Sequence, residues 1–205
     1  MIRTFFISMG LAAGIAAPAY ANLNIFACEP EWGALAHEIG GEKVSIYTAT
    51  TGLQDPHQVQ ARPSLIAKAR AADLAVCTGA ELEIGWLPMI QQETSNGKIA
   101  GGSAGFFEAA SFLTLAEIPT ALDRAQGDIH AAGNPHIQTD PRNVLAVAGQ
   151  LAERMAQLDS ANAAYYRAQY AAFAPRFTAA IAKWQMQAAP LRGTPVLVQH
   201  HSWLY

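Results

Sequence analysis

Short apolar runs alternate with amphipathic stretches along the first half of the chain. The run at 24–28 is too short for a helix and predicts a buried strand. Pro30 then opens a helix over 31–39, with Trp32, Leu35 and Ile39 as its apolar positions, and Gly40-Gly41 stops it before a second strand at 44–48. A helix over 63–71, a strand at 73–76, a turn at Gly79 and a helix over 82–92 continue the series. Strands and helices in this alternation predict a parallel sheet covered on both faces, with ligands taken beyond the carboxyl ends of the strands.

The pattern weakens in the Gly-rich stretch 96–135, which has room for one more strand. It returns at Asp140-Pro141, an N-cap followed by proline at the first helical position, starting an Ala-rich helix to about Leu158. Asp159 or Ser160 caps a second helix running to Met186. Tyr166, Tyr170, Phe173, Phe177, Ile181 and Trp184 form one stripe along it, interrupted by Pro175. At 1.5 Å per residue this element spans about 40 Å, longer than one small lobe requires, which predicts a connector between lobes. A further strand is expected at 195–199 after the turn at Gly193. The expectation is an α/β fold: a parallel-sheet lobe, a long connecting helix and the first strand of a second α/β lobe.

Composition narrows the possible functions. A net charge of -3 with 14% charged residues provides no basic field for nucleic acid. Arg3, an apolar run from Thr4 to Pro18 and the small-x-small sequence Ala19-Tyr20-Ala21 predict a secretory signal peptide cleaved after Ala21. The apolar run is shorter than the roughly 20 residues that span a bilayer, and no cysteine stands at the cleavage point for lipid attachment. The expected location is the periplasm. Cys28 and Cys77 each end an apolar run, and two readings stand open for them, a disulfide or two buried thiols.

The candidate chemistry lies in three histidines from separate motifs: His57 in DPHQVQARPS, His136 in GNPHIQTDP and His200 in HHSWLY. Neutral imidazole is the commonest ligand for borderline metals, and three imidazoles from distant segments can enclose one tetrahedral ion. These motifs, together with ADLAVCTGAELE, resemble those of the metal-binding proteins of zinc and manganese ABC importers. In that family the first ligand histidine precedes a Pro-Ser helix start, here Pro63-Ser64. The second lies in Asn-Pro-His before Asp-Pro, here Asp140-Pro141. The third follows the pattern His-x-x-aromatic-x-Tyr, which selects His200 over His201.

The resemblance implies two α/β lobes bridged by a long helix, with metal held between them. It implies a monomer that captures Zn²⁺ and delivers it to an inner-membrane ABC permease. Manganese-binding relatives usually carry glutamate at the third position, so histidine favours Zn²⁺ over Mn²⁺. On this pattern residues 1–21 are the signal peptide, 22–142 the N-terminal metal-binding lobe, 143–190 a helical connector and 191–205 the start of a truncated C-terminal lobe. The family's usual fourth ligand, an acidic side chain, would lie in the absent part.

Other polar residues receive plainer readings. His130 is a surface histidine, with a substitute ligand or proton-sensitive lid residue as its other roles; His37 is solvated, and His201 points away from His200. Asp55 and Gln54 could orient the His57 ring, although a turn-stabilising Asp before proline is the simpler reading. Glu81 and Glu83 become ligands only if folded inward. Two alternative functions remain, a three-histidine zinc hydrolase or hydratase and a metal-dependent adhesion protein. The chain has no His-Glu-x-x-His helix to support the enzyme.

Overall fold

A computed structural model of the protein describes residues 22–121, 130–198 and 201–205. The expected leader at 1–21 lies outside these residues, as do Gln199 and His200. Among the described residues, no helix is long and apolar enough to cross a membrane.

Four strands form the sheet: β1 (Leu23–Ala27), β2 (Val44–Thr48), β3 (Leu74–Cys77) and β4 (Phe106–Glu108). They lie in the order β2-β1-β3-β4 and every pairing is parallel. Helix α1 (Pro30–Gly40) joins β1 to β2, and α2 (Pro63–Arg70) joins β2 to β3. The chain therefore winds outward from β1 in one direction and then crosses back to its other side. The reversal lies between β1 and β3, the kind of position where open α/β sheets leave a crevice.

Alternation along the strands divides the interior into two cores. Ile25, Leu74, Val76 and Phe107 pack with Trp32, Leu35 and Ile39 of α1. Phe26, Ala75 and Cys77 face the other way, toward Leu65 of α2 and Leu87 and Ile90 of α3 (Leu87–Thr94). Covering both faces explains why these strands read as continuous apolar runs. Cys28 and Cys77 are joined by a disulfide, with their Cα atoms 4.8 Å apart. The parallel register pairs Ala27 with Val76, bringing the following residues of the two strands together. This resolves the choice left by the sequence in favour of the bridge.

The helix expected over 82–92 begins five residues later. Leu82, Trp86 and Ile90 are all buried at a helical interval, but residues 80–86 are turns. Ala80 and Glu81 have positive φ values of 50° and 69°, and Pro88 lies in the first helical turn. Gly79 also has positive φ, and a Cβ there would meet the Glu108 Cβ at 2.9 Å.

Helix α4 (Pro141–Leu158) starts as expected: the Asp140 side chain accepts from the Arg142 amide at 2.8 Å. Its Val147, Leu151 and Met155 enter the same core as α1. Helix α5 (Ala163–Ala188) starts later than expected, after a single 3-10 turn over Ser160–Asn162. Asp159 there accepts from both Asn162 and the Tyr166 hydroxyl. Tyr166, Phe173 and Ile181 of the aromatic stripe are buried, whereas Trp184 is 44% exposed.

The expected strand at 195–199 is not formed at Pro195–Val198. Val196 and Leu197 are exposed, at 78% and 99%. A strand requires a neighbour for its backbone donors and acceptors, and no described strand pairs with this segment.

Candidate metal centre

The loop after β2 positions His57 through two supports. The Trp86 indole N–H donates to the Pro56 carbonyl at 2.9 Å. At Gly85 the backbone passes so near that a Cβ would meet the His57 carbonyl oxygen at 2.8 Å. The ring is then oriented by Asp55, whose Oδ1 accepts from the His57 backbone N–H at 3.0 Å and lies 2.7 Å from Nδ1. Asp55 thus fills both roles considered for it. Gln54 instead accepts from the Thr51 amide and shapes the turn. A carboxylate at Nδ1 favours the tautomer protonated there, leaving the Nε2 lone pair for a metal.

His136 belongs to a more enclosed loop and is only 6% exposed. Its backbone N–H donates to Asn134 Oδ1 at 3.0 Å, and its carbonyl accepts from the Thr139 hydroxyl. Asn134 is held by residues far away in sequence. Its Nδ2 donates to Glu117 and to the His201 carbonyl, and its own carbonyl accepts from the Tyr205 hydroxyl at 2.6 Å. That hydroxyl in turn accepts from the Ala116 N–H at 3.1 Å. Tyr205, singled out as part of the third motif, therefore braces the second. His201 directs Nδ1 toward Glu117 at 3.0 Å, and its side chain is 73% exposed. His200, the expected third ligand, lies outside the described residues. His37 is exposed on α1, as expected.

His130 departs from its sequence reading. It is partly buried rather than a surface histidine, and its Nε2 lies 3.1 Å from Nε2 of His57. The His57 and His130 ring centroids are 5.1 Å apart, those of His57 and His136 5.6 Å, and those of His130 and His136 6.5 Å. The backbone beside it is fixed by Glu81, whose Oε2 accepts from the Ala131 N–H at 2.6 Å, and by a turn in which Gly133 donates to the His130 carbonyl. No spacing motif marked this residue. The available signal was two histidines within one short Gly-containing segment, HAAGNPH.

A buried acidic pair lies at the carboxyl ends of β1 and β3. Glu83 does fold inward, accepting from the amides of Thr78 at 2.7 Å and Gly79 at 3.1 Å. Glu29 accepts from the Thr78 hydroxyl, which itself receives the Trp32 indole N–H. Burial raises the pKa of Glu29 well above the usual carboxylate range, and the neighbouring Glu83 raises it further. Burial also pushes Glu83 up to about 7, partly opposed by its hydrogen bonds from Glu29 and the two amides. Glu29 Oε1 is buried and has no hydrogen-bond partner among the described residues. Cys28, Cys77 and Glu83 are close enough to suggest a metal cluster, but cysteines committed to a disulfide offer no thiolate.

The family model described as "ZnuA: Zinc-uptake complex component A periplasmic" matches residues 25–205. A metal ABC transporter substrate-binding lipoprotein, ScbA of Streptococcus cristatus, is 22% identical over 158 residues, covering 77% of this chain and 49% of the relative. The fold is similar to that of a zinc-bound 138-173 deletion mutant of ZnuA, with TM-score 0.74 and 24% identity, over 90% of this chain and 65% of the other. It is also similar to a manganese-bound periplasmic metal-binding protein from candidatus liberibacter asiaticus, with TM-score 0.61 and 18% identity, over 82% and 55% of the two chains. The chain spans about half the length of the curated relative.

Proposed function

Since the chain belongs to the periplasmic zinc-uptake complex component A family, we propose that it captures Zn²⁺ outside the inner membrane and delivers it to an ABC permease. His57, His136 and His200 are the proposed ligands. The observation that carries this reading is the meeting of His57 and His136, from loops distant in sequence, with ring centroids 5.6 Å apart and Asp55 orienting the first. An imidazole-rich site suits zinc better than the harder Mn²⁺, and Cu²⁺ would compete by intrinsic affinity, so cellular supply contributes to selection. Family membership supports solute binding over the hydrolase, hydratase and adhesion readings. The predicted leader and the lipoprotein relative support a location beyond the inner membrane.

Competition against a chromogenic chelator tests the proposal. The purified protein should take up one Zn²⁺, and His57→Ala should weaken uptake by about a hundredfold or more, because a directly coordinating imidazole is lost. Failure of the wild-type protein to bind metal would overturn the capture reading. Displacement of bound Zn²⁺ by an equal concentration of Mn²⁺ would overturn the choice of metal.

A further inference from the structure

We propose that His130 is a metal ligand, so that the lobe built on the four-stranded sheet presents three imidazoles, His57, His130 and His136, to a single ion. This rests on the metal-capture reading and adds to it a ligand from the lobe's own 130–136 segment. The first support is the approach of two ring nitrogens. Imidazoles sharing a tetrahedral zinc at about 2.0–2.1 Å have their ligating nitrogens about 3.4 Å apart. The Nε2 atoms of His57 and His130 are 3.1 Å apart. Asp55 at Nδ1 of His57 leaves that ring's Nε2 with the lone pair, so the atom facing His130 is the one suited to a metal.

The second support is the placement of the third ring. Three imidazoles on one tetrahedral ion would have centroids about 5.2 Å apart, from the same bond length and the ring radius. The observed separations are 5.1, 5.6 and 6.5 Å, so two already match and the third needs about 1 Å of closure. The segment is also anchored where the ligand requires it. Glu81 holds the Ala131 amide, and Gly133, at φ 110°, turns the chain between the two histidines.

The test uses the full chain with ¹⁵N-labelled histidine. Titration with Zn²⁺ alone is followed by long-range ¹H–¹⁵N correlation, which reports whether each ring nitrogen is protonated, bare or metal-bound. The proposal expects Nε2 of His57 and His130 to move together to the metal-bound position. His130→Ala should weaken Zn²⁺ binding at least tenfold and change the visible spectrum of the Co²⁺-substituted protein, which reads coordination number. A His130 ring that keeps its metal-free nitrogen shifts in the zinc-loaded wild-type protein would overturn the inference while leaving metal capture intact. So would a variant with unchanged affinity and Co²⁺ spectrum. Absence of Zn²⁺ binding by the wild-type protein would overturn both readings.

Discussion

Breaking the Cys28–Cys77 bridge should cost stability without altering the metal site. The bond joins positions 49 residues apart, closing a loop that contains β2, the His57 turn and α2. In the chain-entropy treatment a loop of this length restricts the unfolded ensemble by about 4 kcal/mol. With a urea dependence of about 2 kcal/mol/M for a chain of this size, the unfolding midpoint should fall by about 2 M. Both cysteines are fully buried, so a small dithiol should reach them only after the lobe opens, and reduction should follow the unfolding rate. The assay is urea unfolding of oxidised and reduced protein by circular dichroism, with zinc affinity measured in dilute urea where both forms remain folded. Because the constraint acts chiefly on the unfolded chain, the midpoint should move while affinity stays within about twofold. Coincident midpoints, or thiols that react in unreduced native protein, would refute the reasoning.

Two further outcomes follow from the acidic side chains. Asp55→Asn should weaken Zn²⁺ binding by about tenfold, the lower end of the usual effect of losing an outer-shell carboxylate, because the Asp55 side chain is 55% exposed; chelator competition measures it. The Glu29–Glu83 pair retains protons in the fold at pH values where the unfolded carboxyls, near 4.5, are already ionised. Its contribution is therefore whole below pH 4.5 and is lost as pH rises to about 7 and beyond. Glu29→Gln removes a buried carboxyl whose pKa is raised, so metal-free wild type should lose more stability than the variant between about pH 5 and about pH 8. Equal losses in urea unfolding would contradict the raised pKa of Glu29.

The regular elements were legible where local chemistry and burial agree. The strand at 44–48 and the helix from Pro141 have their expected boundaries because Gly40-Gly41 and Asp140-Pro141 punctuate the backbone independently of packing. The third helix was misplaced because Leu82 and Trp86 continue its apolar period through turns whose shape depends on the Glu83 carboxylate reaching back to Thr78 and Gly79. The strand expected at 195–199 had the right residue types, but a strand is a property of two segments, and periodicity reads one. In the candidate site, His57 and His136 carried turn motifs and were visible. His130 was weighed as a substitute ligand but ranked below a surface histidine, because its association with His57 spans 73 residues and depends on how two loops meet. The disulfide likewise became clear only once β1 and β3 were known to be neighbours.

The Tyr205 hydroxyl bridge gives the centre a direction in time. Support for His57 closes over a short interval, since Trp86 reaches Pro56 across 30 residues. The loop of His136 is completed only when Tyr205 reaches Asn134 and Ala116, 71 and 89 positions earlier. At synthesis rates of about 5–20 residues per second, the chain between His136 and Tyr205 takes roughly 3 to 14 s to emerge. During that interval the His57 side can mature while the His136 side still lacks its brace. The two histidine loops therefore gain their supports at different times, the His136 loop only after Tyr205 has emerged.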